Sequence, residues 1–247
     1  MNKQQGRLFV SPSRLWLAAI AFASCGVLEQ VVAVEEDEKC VCDLLERPNL
    51  LLKEKRARWM VHSLDYGILS TISTRFPNDE SKQQPTPFGN IYSFVDGPCE
   101  SSTGTPYFYS TALDQTYIDM KSNNRASLTL TEASLPSVCS VQHGLKSCSP
   151  RTGNKYGDPE NPLCARLTLT GTLVEVPKSS NEFETMREAL FQRHSSMSYW
   201  PSDHHWRILK LEIHDIWFID YFGGATLMSV DDYFAVDLFP SITEDAV

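Results

Sequence analysis

The chain has 247 residues, 42% of them hydrophobic, and a formal net charge of −9. An acidic balance without any block of Lys or Arg excludes nucleic acid and weighs against an anionic membrane surface as the principal partner. Setting the first segment aside leaves about 210 residues, enough for one globular domain with a substantial core.

That first segment has the layout of a secretory signal: Lys3, Arg7 and Arg14 precede an apolar run from Leu15 to Ala23. A membrane-spanning helix needs about 20 apolar residues, and Ser24, Gly26, Glu29 and Gln30 interrupt this run first. No stable span is therefore expected after cleavage; an uncleaved anchor is the alternative. Cleavage is placed between residues 23 and 33, with the later point preferred, so residues 1–33 are assigned to the signal. Removing them takes away Lys3, Arg7, Arg14, Glu29 and Cys25 and leaves the remainder two units more acidic than the whole chain.

Six cysteines then remain: Cys40, Cys42, Cys99, Cys139, Cys148 and Cys164. An even set in an exported chain reads as disulfides. Cys139, Cys148 and Cys164 flank one loop, where a local bridge is expected, while the pairing as a whole stays open. Zinc is the rival, but a single residue separates Cys40 from Cys42 and the other spacings are irregular.

Residues 34–55 read as an acidic, cysteine-bearing arm (EEDEKCVCDLLER) leading into the domain. Pro48 suits a first helical turn, and Leu52, Trp59 and Met60 share one face of a helix ending before Gly67. GILSTIST (67–74) is a β-rich run. A proline-rich loop follows, and then NIYSFVDG (90–97), a strand stopped by Asp96-Gly97-Pro98. TPYFYST (105–111) is an aromatic strand, 114–124 a short helix or irregular connection, and RASLTLT (125–131) alternates as a half-buried strand does. A turn-rich stretch with three cysteines leads to the strand CARLTLTGTLVEVP (164–177).

Residues 181–194 form an amphipathic helix, with Phe183, Met186, Leu190 and Phe191 on one face and Ser180 as its cap. Residues 207–221 alternate as a long strand, Ile208, Leu211, Ile213, Ile216 and Phe218 against Lys210, Glu212, His214 and Asp220, with a bulge where the period slips. About six strands with few helices indicate a mainly β fold with an antiparallel closed or half-closed barrel, not a parallel βαβ sheet.

Five ordered blocks carry a family resemblance: RARWMVHSLDYGILSTIST, PYFYST, DPENPLCARLTLTGTL, ALFQRHSSMSYWP followed by HHW, and IWFIDYFGG. In this order they resemble the CREG family of secreted glycoproteins. The resemblance implies a six-stranded antiparallel split β-barrel of the FMN-binding type over residues 56–239, related to oxidases of the pyridoxamine phosphate oxidase type, with 240–247 as a tail. It also implies a homodimer, a protein receptor or partner, and an extracellular or endolysosomal destination. It further implies a role in growth or differentiation control without a known reaction, the flavin pocket being obstructed. The aromatic richness of the strands agrees with pairing. Two departures stand out: the chain has no N-x-S/T sequon, and the segment from Cys139 to Cys164 is longer and carries Cys148 as an extra cysteine.

Four His and three Trp crowd residues 191–224 and invite a catalytic or metal reading. Adjacent His204 and His205 on extended chain would point apart. His194 at a helix end suits the dipole as a cation, and His214 falls on the polar side of its strand. Capping and packing around Trp200, Pro201 and Trp206 are the preferred account, and no metal is assigned. A hydrolase lacks its GxSxG elbow, and turn formation accounts for Asp65 and Asp220. The serious alternative to a binding protein is an FMN-dependent oxidoreductase. Ser110, Thr111, Lys121 and Arg125 supply the hydroxyls and cations a flavin phosphate needs, although no glycine-rich loop reinforces them. The expectation is a protein that acts by binding, with no catalytic residue and no cofactor.

Overall fold

The computed structural model describes residues 45–76, 84–135, 146–150, 155 and 157–240, all within the compact unit Glu38–Val247. The leader, residues 34–44 of the acidic arm with Cys40 and Cys42, Cys139 and the tail from 241 onward lie outside the described residues.

The elements run α1 (Lys53–Ser63), β1 (Tyr66–Ile72), β2 (Pro87–Val95), β3 (Tyr107–Ser110), α2 (Gln115–Ser122), β4 (Arg125–Thr131), β5 (Arg166–Glu175), α3 (Asn181–Arg193), β6 (Arg207–Ile219), β7 (Thr226–Met228) and α4 (Val230–Phe234). The sheet order is β3-β2-β1-β4-β5-β6-β7, every pair antiparallel, and β3 also pairs with β6. That last pairing closes six strands into a barrel, as the sequence pattern implied. The short β7 is an addition at the rim, alongside the C-terminal half of β6.

Period-two sequence explains the walls. In β4 Ala126, Leu128 and Leu130 are buried while Arg125 and Thr129 are exposed, and in β5 Leu167, Leu169, Gly171 and Leu173 are buried. Successive side chains leave a strand on opposite faces, so alternation assigns one face to the core. The slip in β6 is a bulge. Thr170 pairs with Asp215 but Gly171 with Ile213, which leaves His214 as the extra residue. Gly171 is needed there because a Cβ would lie 1.9 Å from the Glu212 carbonyl oxygen.

α1 departs from its expected amphipathic form. Arg56 through His62 are all buried, so the helix is enclosed rather than laid on a surface. Pro48 lies ahead of the helix and Leu52 is 49% exposed, so neither plays its expected part. Trp59, Met60, Phe94, Phe108, Leu128 and Phe218 form the centre of the main core.

α3 packs outside the barrel on β2, β3 and β6, where Phe183, Met186, Ala189 and Leu190 meet Val95, Tyr107, Val176 and Ile208 in a second apolar cluster. Full burial of such side chains stabilises by about 1.5–3 kcal/mol each. The Ser180 hydroxyl caps the helix by accepting from Phe183 N–H at 3.2 Å. This packing fixes the point at which the chain leaves α3 and crosses the end of β3.

Candidate functional site

Beyond α3 two short 3-10 turns, Ser195–Tyr199 and Ser202–His204, carry the chain to β6. His205 then takes φ 52°, the one non-glycine residue with positive φ among those described, a conformation in which His is better tolerated than most residues. His204 and His205 thus stand at a turn, not on extended chain as the spacing suggested. Two hydrogen bonds clamp the crossing: Thr111 Oγ1 donates to the His204 carbonyl at 2.6 Å and Trp206 Nε1 to the Pro201 carbonyl at 2.7 Å.

The clamp assembles an aromatic corner on β3. Tyr109 stacks on Trp206 at 4.8 Å and 13°, lies 6.1 Å from Trp200 at 28°, and meets Phe191 edge-on at 5.4 Å. Trp200 and Trp206 are 4.9 Å apart. The rings border a hollow of about 290 Å³ whose other walls include Ile91, Met197, Asn90, Tyr92, Ser110, Thr111 and Asp114. Asp114 spends one oxygen capping α2, accepting from Thr116 N–H at 2.7 Å. Tyr92 and Ser110 share a hydrogen bond of 2.9 Å, and burial, then the Asp114 charge, pushes the Tyr92 hydroxyl well above its ordinary pKa.

His194 caps the C-terminus of α3, and its Nε2 must donate to the Phe94 carbonyl at 3.1 Å, since a carbonyl only accepts. Burial lowers its pKa, so the fold favours the neutral ring rather than the cation expected at a helix end. His214, the bulged residue, is exposed and lies 3.4 Å from Thr172 Oγ1. Among the described residues no three His, Cys, Asp or Glu side chains are grouped to hold a metal.

Ser110 and Thr111 line the aromatic hollow. Arg125 lines a different one of about 530 Å³, on the outer barrel face beside Ser127, Thr170, His214 and Asp215. Lys121 is exposed, 5.9 Å from the Tyr117 ring, and borders neither. Among the described residues the hollow with the hydroxyls has no Lys or Arg in its lining, and its one charged wall is Asp114. Arg187, close enough to act on Tyr109, is held by Glu184 at 2.5 Å. A flavin phosphate needs cations within hydrogen-bond reach; the residues present here do not fit it.

At the base of α1, sequence reasoning missed a buried ionic cluster. Glu132 and Arg56 are both 0% exposed and 3.1 Å apart; Arg47 Nε reaches Glu132 at 2.7 Å, and Ala165 N–H donates to Glu132 at 2.9 Å. Arg56 also reaches Asp220 at 3.3 Å. Asp220 is 3% exposed, which corrects its placement on the polar side of β6 and the turn explanation for it. Burial raises its pKa, with Lys53 opposing and Glu132 adding to the shift. The signal available in sequence was Arg56 and Arg58 interleaved with the apolar residues Ala57 and Trp59–Val61. Next to this cluster Cys148 and Cys164 form a disulfide, and Cys99 is disulfide-bonded as well.

A second buried network joins His62 Nδ1 to Asp96 Oδ1 at 2.7 Å and His62 Nε2 to the Cys99 carbonyl at 3.0 Å. The Ser102 hydroxyl bonds Asp96, not the imidazole, so no nucleophile and base are paired. Gly104 N–H adds a further bond to Asp96, and Tyr233 OH donates to the Gly104 carbonyl at 2.7 Å. The network ties the loop after β2 to α1 and α4.

On the outer wall one cross-strand row reads Ile91, Ile68, Thr129, Thr168, Trp217, Leu227, each residue opposite the next in register. Ile91 is 66% exposed and Leu227 81%, and the row carries no charge.

Residues 48–235 match the family model described as CREG, beta-barrel. The chain is 37% identical over 182 residues to Protein CREG1 of Mus musculus, covering 74% of this chain and 73% of that protein. It is 36% identical over 187 residues to Protein CREG2 of Homo sapiens, covering 76% of this chain but only 57% of the longer relative. Among solved structures, a heme binding protein from Mycobacterium smegmatis superposes with a TM-score of 0.52 at 16% identity, over 76% of this chain and 61% of that one. Campylobacter jejuni ChuZ gives 0.50 at 14% identity, over 83% and 70%. These two share the split-barrel fold with the present chain.

Proposed function

Because this chain belongs to the CREG family, we propose that it acts by binding rather than catalysis, as a homodimer delivered along the secretory route to the extracellular space or the endolysosomal lumen, in growth or differentiation control. The observation that carries the reading is the uncharged outer row from Ile91 to Leu227, with Ile68 and Trp217 40% and 37% exposed within it. On a chain of charge −9, two copies would repel wherever acidic surfaces met. This row lets them approach without that cost, and one uncharged patch meeting its own copy suits a two-fold axis. A protein receptor would then meet surfaces the pairing leaves free.

The flavin alternative draws no support from the residues around Ser110 and Thr111, where Asp114 stands in place of a cation. No helix among the described residues is long and apolar enough to cross a membrane.

The pairing is tested by light scattering across concentrations. Wild-type protein is expected at twice the chain mass at micromolar concentration, and the Ile68→Asp/Ile91→Asp variant at the monomer mass, with dimer affinity lowered at least about 100-fold by burying two unpaired charges per protomer. A wild-type mass that stays monomeric at every concentration would sink the homodimer.

A further inference from the structure

The hollow at the aromatic corner differs from the other polar clusters of the molecule because its groups are only partly used. Trp200 remains 39% exposed although two of its neighbours are rings. Asn90 donates to Thr116 Oγ1 at 3.3 Å, yet its side-chain oxygen accepts nothing among the described residues. Asp114 accepts from Thr116 N–H on the α2 cap and also faces the Tyr92 hydroxyl, and it remains half-buried at the edge of the hollow.

Ring geometry narrows what such a place could hold. Tyr109, Trp206 and Trp200 lie within 13°, 28° and 38° of parallel, pair by pair. Rings stacked or tilted against one another in this way offer their outer faces as a platform, whereas a cage for a quaternary ammonium needs walls that face one another around the cation. A platform favours a ligand with a flat face, and the electron-rich face of an indole attracts weakly polarised C–H groups. Charge narrows it further. With Asp114 as the one charged wall, phosphate and carboxylate ligands are repelled, whereas hydroxyl groups can donate to Asp114 and Asn90 and bond with Ser110. A volume of about 290 Å³ is near the lower end of small-molecule sites and suits one six-membered ring with its substituents.

We infer that this hollow is a carbohydrate site: Trp200 and Trp206, backed by Tyr109, support the apolar face of a neutral pyranose, and Asp114, Asn90 and Ser110 take its hydroxyl groups. The site is independent of the outer row through which the chain pairs, apart from Ile91, which borders both. Sugar binding can therefore fail while pairing stands, and the reverse.

The experiment titrates the purified full chain with glucose, galactose, mannose, N-acetylglucosamine and chitobiose, reading tryptophan fluorescence and saturation-transfer NMR. At least one sugar is expected to bind with a Kd on the order of 1 mM, as a ligand of a dozen heavy atoms allows. Trp200→Ala should weaken it at least about tenfold and Trp200→Phe less, since a ring remains. Asp114→Asn, which keeps the helix cap, should weaken it about fivefold, and Lys121→Ala should leave it unchanged. Thermal melts accompany each variant; were Trp200→Ala to unfold early, Asp114→Asn and Trp200→Phe would decide the matter. The inference is overturned if no sugar of the panel binds at 50 mM, if binding ignores both Trp200→Phe and Asp114→Asn, or if FMN or choline binds the same rings more tightly than every sugar.

Discussion

The ionic cluster under α1 and the aromatic corner at the end of β3 are built from equally uncommon residues, and they use them in opposite ways. Glu132 meets Arg47, Arg56 and the Ala165 N–H, and it is wholly out of water. Trp200 keeps part of its surface, and Asn90 its side-chain oxygen, in reserve beside an open hollow. A buried charge must be matched at once, because leaving it unpaired costs several kcal/mol. A ring or hydroxyl at the surface can wait for a partner, because water serves meanwhile. Saturation, not rarity, separates a structural constellation from a binding one.

This contrast can be broken most forcefully at the ionic cluster. Glu132→Gln leaves two guanidinium groups short of their counter-charge and is expected to cost about 3–5 kcal/mol in chemical denaturation. A loss under 1 kcal/mol would mean the cluster is solvated, and the contrast would collapse.

The next largest effect sharpens it. Cys148 and Cys164 are separated by 16 positions, and the Ser147 hydroxyl donates to the Leu163 carbonyl that Arg47 also touches. The double change Cys148→Ser/Cys164→Ser should lower stability by about 3 kcal/mol through the freed unfolded chain. It should leave the tryptophan emission of the corner as it is. An altered emission spectrum would show that the two regions are coupled.

The smallest effect belongs to the corner's own border. His194 is held neutral by burial, so its folded pKa lies below that of the unfolded chain, which is about 6.5. Its contribution to stability is complete above that pH and declines as pH falls, since the unfolded chain binds the proton first. His194→Gln can still donate to Phe94 and should lessen the drop in melting temperature between pH 7 and pH 5 by about 2 °C. Identical pH profiles for the two proteins would show that His194 does not carry the dependence.

Much of the barrel was legible in the chain because alternation is a local property. β4 begins and ends where RASLTLT does, Ser180 caps α3 as its position suggested, and the slip in the β6 pattern is the bulge at His214. Reading α1 as a one-sided helix failed because enclosure depends on what surrounds it. The four residues proposed for a flavin share polar chemistry, but the fold sends Arg125 to the outer wall and leaves Lys121 at the surface.

By itself the sequence determined the six barrel strands, the helix on their flank and the family, through periodicity and five ordered blocks whose information lies within a few residues of each position. Tertiary structure alone decided that Asp220 would be buried against Arg56, 164 positions away, and that β3 would meet β6 to close the wall. It also decided that Trp200 and Trp206 would stack on Tyr109 beside a hollow. Such contacts depend on chain closure over long separations, where loop entropy is overcome only by the summed packing of the whole core, and no local pattern records that sum.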